Sequence, residues 1–325
     1  MEKIRKEYLM RIMTFAPVHI GSGEELTNKD YIDEGNVFFV PAMENIIEEL
    51  IKKEPNIINT FESLLYKINN NNNNTLEQLL KLFNVDIKKM KGYRISKGKD
   101  TKTNKTGKIE IRPFIRNGLN QLYIPGSTIK GVLRTILEDQ FDSFGEKITQ
   151  EKNKEKINDI FRNIRIMDSD PIPENSFMLA RKIDFVGDNP INNNDYNKWN
   201  IYRESIEPGT EIYVTVICTS YSAIKFMDQI HELTKKQNMN YYEMFLKYKP
   251  EILRQKKTLG YMLYLGGGTG ICTKTRIKNP GSSKASNEYA LKLTKAQPIK
   301  KFLNPGNKEG YYEMGLCYFD IKGVR

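Results

Sequence analysis

The stretch from Tyr123 to Arg134, here called the central motif, constrains the fold most because it predicts a strand, a tight turn and an amphipathic helix in immediate succession. Pro125 and Gly126 break the strand, and Ser127 or Thr128 can cap the first free amides of the helix. Apolar residues then recur at helical spacing, at Ile129, Val132, Leu133, Ile136, Leu137 and Phe141.

Two cations lie near the start of this helix. Lys130 is in the first turn, where the helix dipole disfavours a positive charge unless an anion is nearby, and Arg134 follows one turn later on the polar face. A phosphate docked on the free amides would remove the conflict. A solvated lysine on an ordinary helix explains the same residues, so the motif alone leaves both interpretations open.

Two glycine-rich segments indicate places where the backbone could approach a polar ligand. The first glycine loop, Gly21-Ser22-Gly23, follows His19, for which no catalytic partner is visible in the sequence. The second glycine loop, Gly266-Gly267-Gly268-Thr269-Gly270, is followed by Lys274 and Arg276. It is not a dinucleotide fingerprint, because the third glycine is missing. A turn histidine and a loop that only relieves strain are the structural alternatives.

The charge balance favours polyanionic partners. Lys and Arg number 51 against 40 Asp and Glu, for a net charge of +11, and the field of such a chain attracts nucleic acid. Cys218, Cys272 and Cys317 are widely spaced and only two histidines are present, so no cluster has zinc-ligand spacing and we expect neither a metal nor a cofactor. The sequence has no run typical of a membrane span, and we expect a cytoplasmic protein.

Residues from about 54 to 114 are predicted to form an insertion with helical stripes, an asparagine tract at 69–74 and a basic hairpin. The hairpin is predicted between two short strand-like segments. It is either a solubilising loop or a source of salt-dependent, sequence-blind affinity for nucleic acid. Its cations are Lys91, Arg94, Lys97, Lys99, Lys102, Lys105 and Lys108.

Three motifs in this order resemble the RAMP superfamily of CRISPR-associated RNA-binding proteins: Ala16 to Gly23, the central motif, and the second glycine loop with Lys274-Thr275. Within the superfamily the chain is most similar to the Csm-type subunit that caps the 3′ end of the CRISPR RNA (crRNA) in type III-A effector complexes. Backbone subunits of these complexes have the central motif close behind the first glycine loop, whereas here a helix beginning at Pro41 and the insertion intervene.

The resemblance implies an α+β fold with tandem ferredoxin-like (RRM-like) βαββαβ domains, residues 1–198 with the insertion and residues 199–325. It also implies that glycine loops and basic helix starts face the RNA backbone. The residues of this chain that match are His19, Gly21, Ser22, Gly23, Gly126, Ser127, Thr128, Lys130, Arg134, Gly266, Gly267, Gly268, Thr269, Gly270, Lys274 and Arg276.

Two functions follow from the resemblance. The favoured one is a non-catalytic subunit that binds the 3′ region of crRNA, supports its maturation and assembles with the backbone and small subunits of the complex, near target RNA; recruitment of host nucleases stays open. The alternative is a metal-dependent endoribonuclease, because backbone subunits cut target RNA with a loop aspartate, for which Asp30 and Asp33 are the candidates here. Turn aspartate is the commoner role of such residues.

Overall fold

The computed structural model of the protein describes residues 4–54, 56–68, 75–97, 109–143, 150–185, 201–249, 261–274, 291–295 and 310–324. The strands are Lys6–Thr14 (β1), Ile32–Asp33 (β2), Val37–Pro41 (β3), Gly92–Ser96 (β4), Glu110–Arg112 (β5), Ile164–Ile166 (β6), Phe177–Arg181 (β7), Ile183–Phe185 (β8), Ile201–Ile206 (β9), Glu211–Cys218 (β10), Met262–Tyr264 (β11), Leu291–Lys295 (β12), Tyr311–Glu313 (β13) and Leu316–Gly323 (β14). The helices are Met43–Lys53 (α1), Ile57–Lys67 (α2), Leu76–Leu82 (α3), Gly126–Ser143 (α4), Gln150–Arg162 (α5), Tyr221–Asp228 (α6) and Ile230–Met244 (α7).

Five antiparallel strands form one sheet, here called the central sheet, in the order β11-β14-β1-β10-β6. Side chains alternate along β1, so Tyr8, Met10 and Ile12 are buried while Leu9 is exposed. The buried face packs on apolar residues of α4, α5, α6 and α7, among them Leu133 and Phe226. This packing makes the largest hydrophobic core of the described residues.

The fold class predicted from the sequence, α+β, is confirmed. In the central sheet, β14, β1, β10 and β6 follow the strand order of one ferredoxin-like βαββαβ unit, with α4 after β1 and the α6–α7 pair after β10. The tandem arrangement stays a prediction. Its boundary at residues 198 and 199 lies outside the described residues, and the central sheet continues across it because β1 pairs with β10 and β14.

The first part of the predicted insertion shares a separate hydrophobic core with the elements that precede residue 54. Helices α1, α2 and α3 pack together against the three-stranded sheet β2-β3-β4, with Phe39, Leu50 and Phe61 buried between them. Strands β2 and β3 form a hairpin, in which Ile32 pairs with Phe39. The asparagine tract lies outside the described residues. Among the described helices, none is long and apolar enough to span a lipid bilayer.

The prediction of a basic hairpin is wrong. Its first flank, β4, pairs with β3, whereas the second, β5, pairs in parallel with β9 in another sheet. Two strand-like segments close in sequence favour local pairing, but alternation identifies a strand and not its partner. Lys99, Lys102, Lys105 and Lys108 lie outside the described residues.

The helix predicted after Pro125 is confirmed as α4, but the strand before it is not. Tyr123 and Ile124 lie outside the strands, and Ile124 instead bonds to Ser169 through both backbone groups: its amide donates to the Ser169 hydroxyl (2.9 Å), and its carbonyl accepts from the Ser169 amide (3.0 Å). A side-chain hydroxyl thus takes the place of one ladder bond.

Candidate nucleic-acid interface

His19 connects the two glycine loops through a contact with Gly266 and Gly267, here called the glycine–histidine joint. Its carbonyl oxygen accepts a hydrogen bond from the Gly267 amide (2.6 Å), although almost 250 residues separate the two in sequence. Gly266 has φ +82°, and a Cβ atom on it would lie 2.1 Å from the His19 carbonyl oxygen. Only glycine therefore permits this approach. The structure thus brings together two of the three sequence motifs.

The imidazole of His19 is a structural group in this joint. It is 4% exposed, and its Nδ1 lies 2.7 Å from the carbonyl oxygen of Glu204, which can only accept, so Nδ1 carries the proton. Burial lowers the pKa of His19 to about 4; Arg203 and Arg112 add to this effect, and the bond to Glu204 opposes it. The ring is consequently neutral near pH 7.

The first glycine loop lies at the surface. Gly21, Ser22 and Gly23 are all exposed, and Gly23 has φ +94°. The Ser22 amide donates to the carbonyl of Pro113 (3.2 Å), and its hydroxyl accepts from the amide of Glu24 (3.2 Å). These bonds hold the loop beside the glycine–histidine joint while leaving its outer side open to solvent.

The second glycine loop alternates between left-handed and ordinary backbone. Gly266, Gly268 and Gly270 have φ values of +82°, +81° and +93°, which side chains rarely adopt. Lys274 folds back so that its Nζ donates to the carbonyl of Gly266 (2.9 Å), and burial lowers the pKa of this lysine. Arg276 lies outside the described residues.

Arg203 is a residue of this site that the sequence analysis missed. It lies in β9, is 9% exposed, and stands opposite Arg112 of β5 in the strand pairing. A Cβ atom on Gly268 would lie 3.5 Å from Arg203 Nε, so the guanidinium lies directly beside the second glycine loop. A signal was present, since Arg203 and Glu204 interrupt an otherwise strand-like run, and buried charges require a partner or a role.

Glu204, unlike Arg203, has partners that compensate its charge. Its carboxylate accepts from Arg116 (2.6 Å) and from the amide of Phe114 (2.8 Å) in a buried ion pair. Burial raises the pKa of Glu204, while Arg116 and the Phe114 amide oppose that rise. The backbone carbonyl of Glu204 connects β9 to His19, and its carboxylate connects β9 to the segment that leads into the central motif.

The central motif is held by contacts within the protein. Lys130 Nζ donates to the carbonyl oxygen of Ile164 (2.6 Å), and burial followed by the nearby Arg134 lowers the pKa of Lys130. Arg134 donates to Glu138 and to Asn158, both at 2.8 Å. A backbone carbonyl thus already compensates the lysine at the start of the helix, and the conflict with the dipole does not require a phosphate.

Gly126 allows α4 to pack closely on β6. A Cβ atom on Gly126 would lie 2.2 Å from the carbonyl oxygen of Ile166, and the Gly126 amide donates to Asp168 Oδ1 (2.8 Å). The side chain that accepts from the start of the helix is therefore the Asp168 carboxylate, and not the hydroxyl of Ser127 or Thr128. Ser127 is exposed and Thr128 half-buried in the first turn.

Lys130 and the glycine loops lie at opposite ends of the central sheet. Ile164, which Lys130 contacts, pairs with Cys218, which in turn pairs with Lys6 at the start of β1. His19 follows the other end of β1. At about 3.3 Å per residue, that strand alone spans roughly 26 Å. A single compact ligand cannot contact both places, whereas an extended chain could.

The two aspartates considered for catalysis have structural contacts. Asp30 Oδ2 accepts from the amide (2.8 Å) and the hydroxyl (2.9 Å) of Thr27. Asp33 pairs with the buried Lys97 and accepts from the amide of Gly35 (2.9 Å). Across the described ranges no group of three His, Cys, Asp or Glu residues could hold a metal ion.

Of the remaining basic residues, Arg94 pairs with Glu34 (2.9 Å) and Lys91 is exposed.

Comparison with known proteins gives consistent matches along the chain. A sequence model of the RAMP superfamily matches residues 11–304. The CRISPR system Cms protein Csm5 of Streptococcus thermophilus is 30% identical over 358 residues, 98% of each chain. Csm5 of Enterococcus italicus is 26% identical over 99% of each chain.

Two solved structures share the fold. A chain of the Csm–crRNA–target RNA ternary complex of a type III-A CRISPR-Cas system, determined by cryo-EM, aligns with a TM-score of 0.59 at 16% identity, over 98% of this chain and 100% of its own length. The crystal structure of T. onnurineus Csm5 aligns with a TM-score of 0.50 at 18% identity, over 73% of this chain and 80% of its own.

Proposed function

The chain belongs to the RAMP superfamily and, within it, to the Csm5 family, and from this premise we propose that it is a non-catalytic RNA-binding subunit of a type III-A CRISPR (Csm) interference complex. In that complex it caps the 3′ end of the crRNA and supports crRNA maturation and assembly. Its partners are the crRNA 3′ region and the backbone and small subunits, with target RNA nearby. We place this activity in the cytoplasm.

The observation that carries the proposal is the joint between the two glycine loops. His19 brings the exposed first loop beside the second, and Lys274 adds positive charge where side chains are otherwise absent. Backbone amides and cations recognise phosphate and ribose without reading bases. A subunit that must accept every guide sequence requires this kind of contact.

RNA binding by variants of the second loop tests the proposal. Gly268→Val would place a branched side chain against Met314 Sδ, which is 2.8 Å from the position of a Cβ atom. Lys274→Glu reverses a charge at the same loop. Both variants should weaken binding to single-stranded RNAs of different sequence by similar factors of about tenfold or more. In the reconstituted complex they should leave the crRNA 3′ end open to trimming.

Gly118→Val is the matched control, because Gly118 is exposed and a Cβ atom there meets nothing within 4 Å. Melting temperatures identify variants that fail to fold. The same incubations, with Mg²⁺ or Mn²⁺ and a guide–target duplex, test for cleavage. Products that vanish in Asp33→Ala would establish the nuclease alternative, and unchanged RNA binding by both loop variants would remove the glycine loops from the interface.

A further inference from the structure

The buried guanidinium of Arg203 has no ion-pair partner among the described residues. The residue is 9% exposed, its Nη1 is buried without a hydrogen-bond partner, and no carboxylate of the described residues forms an ion pair with it. Arg116, on the neighbouring chain segment, shows the contrast, because its guanidinium is paired with Glu204 at 2.6 Å. A buried arginine has five donors that require acceptors.

A second positive charge nearby raises the free-energy cost of burying the Arg203 guanidinium. Arg112 stands opposite Arg203 in the pairing of β5 with β9, and burial followed by the charge of Arg112 lowers the pKa of Arg203. Asp184 and Glu110 oppose this shift in part, but both are already paired, Asp184 with Lys182 and Lys292 (2.8 Å each) and Glu110 with Arg112 (3.1 Å). A buried charge without a partner destabilises a fold, and a bound ligand of opposite charge would remove that cost.

The second glycine loop adds further free donors beside this guanidinium. Among the described residues, the amides of Gly268, Thr269 and Gly270 donate no hydrogen bond, and the buried hydroxyl oxygen of Thr269 has no partner. A Cβ atom on Gly268 would lie 3.5 Å from Arg203 Nε, and one on Gly270 would lie 3.0 Å from Lys292 Cγ. Amides and a guanidinium thus lie together at one place where side chains are missing, with the aliphatic part of Lys292 beside them.

We propose that Arg203 binds one backbone phosphate of the RNA, seated between its guanidinium and the amides of the second glycine loop. This inference rests on the proposed function, in which the glycine loops contact the RNA. It adds Arg203 of β9 as a further cationic contact. A phosphate fits because a guanidinium contacts two of its oxygens at once and loop amides can take another. The contact is blind to sequence, and it fixes the position of one nucleotide relative to the glycine–histidine joint.

The test compares Arg203→Met with the parent protein and with Arg165→Met, using a labelled single-stranded RNA at several salt concentrations. Arg165 is an exposed strand arginine of β6, at the far edge of the central sheet, so its replacement removes the same charge elsewhere. Arg203→Met should weaken RNA binding about tenfold or more and make the slope of log affinity against log salt less steep by about 0.7. Arg165→Met should leave both unchanged.

The melting temperature separates this role from a structural one. Without RNA, Arg203→Met should melt at or above the parent temperature, because a buried uncompensated charge is replaced by an apolar side chain of similar length. RNA should raise the melting temperature of the parent more than that of the variant. Arg203→Lys keeps the charge but not the fork of donors, and should bind with intermediate affinity.

Three results would overturn the inference. If Arg203→Met binds RNA with the parent affinity and slope while Gly268→Val does not, the proposed function stands and Arg203 is outside the interface. If the free Arg203→Met protein melts well below the parent, the guanidinium is a structural group. If the parent itself binds no RNA, the proposed function fails and the phosphate assignment fails with it.

Discussion

His19 illustrates how position sets the role of a single residue. From the sequence, a histidine before a glycine loop could be a ligand, a base or a turn residue. In the fold its carbonyl holds Gly267, its Nδ1 donates to the Glu204 carbonyl, and burial lowers the pKa of the ring to about 4. A neutral, hydrogen-bonded imidazole of this kind stabilises the joint between the loops and does not exchange protons near pH 7.

The depressed pKa of His19 predicts a pH dependence of stability. In the unfolded chain a histidine has a pKa near 6.5, so between pH 6.5 and 4 the unfolded state binds the proton more readily and stability falls as pH falls. Between pH 7 and pH 4.5 this loss is about 2 kcal/mol. Denaturant unfolding of the parent and of His19→Gln at both pH values measures it.

His19→Gln controls for the other titrating groups, because the carboxylates titrate in both the parent and the variant. The free energy of unfolding should fall more in the parent than in His19→Gln, by about 2 kcal/mol. Equal falls in the two proteins would mean that the His19 ring is accessible to protons in the folded state.

At the level of elements, α4 contains two glycines with opposite roles. Gly126 lets the helix start approach β6, since a Cβ atom on it would lie 2.2 Å from the Ile166 carbonyl oxygen. Gly131 is an exposed residue inside the same helix, and a Cβ atom there meets nothing within 4 Å. We expect Gly126→Ala to destabilise the protein by about 2 kcal/mol or more, and Gly131→Ala to stabilise it by about 0.5 to 1 kcal/mol.

Chemical denaturation of both variants measures this difference, and the two substitutions control for each other because they add the same methyl group to one helix. If Gly126→Ala is as stable as the parent, then α4 can shift away from β6 without cost. In that case the glycine of the central motif is available for another role, including contact with RNA.

Local periodicity predicted the helices well but not the partners of the strands. The apolar stripes from Ile57 to Ile68 and from Leu76 to Phe83 correspond to α2 and α3, because a helix satisfies its backbone within one segment. The flanks of the basic segment were also recognisable as strands, yet β4 and β5 enter different sheets. Strand pairing depends on distant residues, which a single sequence does not reveal.

The candidate site was predictable to a similar extent. The glycine loops were identified because several glycines close together indicate special backbone, and the joint at His19 brings them together. Arg203 was missed because an isolated arginine in a strand becomes informative only when its burial and its lack of a partner are known. The sequence suggested an anion beside Lys130 because the actual partner of this lysine, the carbonyl of Ile164, belongs to a strand more than thirty residues away.

At the scale of the whole molecule, the central sheet depends on both ends of the chain. Strand β1 lies between β10 and β14, and its buried residues Met10 and Ile12 share a core with Val214 and Phe319. A fragment of residues 1–198 would expose both edges of β1 together with this apolar face. A fragment of residues 199–325 would lose the strand that connects its β10 to its β14.

We therefore expect neither fragment to fold alone, although residues 1–198 and 199–325 correspond to the two domains predicted from the sequence. Each fragment should be insoluble, or should lack a cooperative thermal transition by circular dichroism. Co-expressed fragments should associate and recover RNA binding, because cutting one connection adds only the entropic cost of bringing two chains together. Cooperative unfolding of residues 1–198 alone would instead support two independent domains, and β1 would then have to find other partners within its own half.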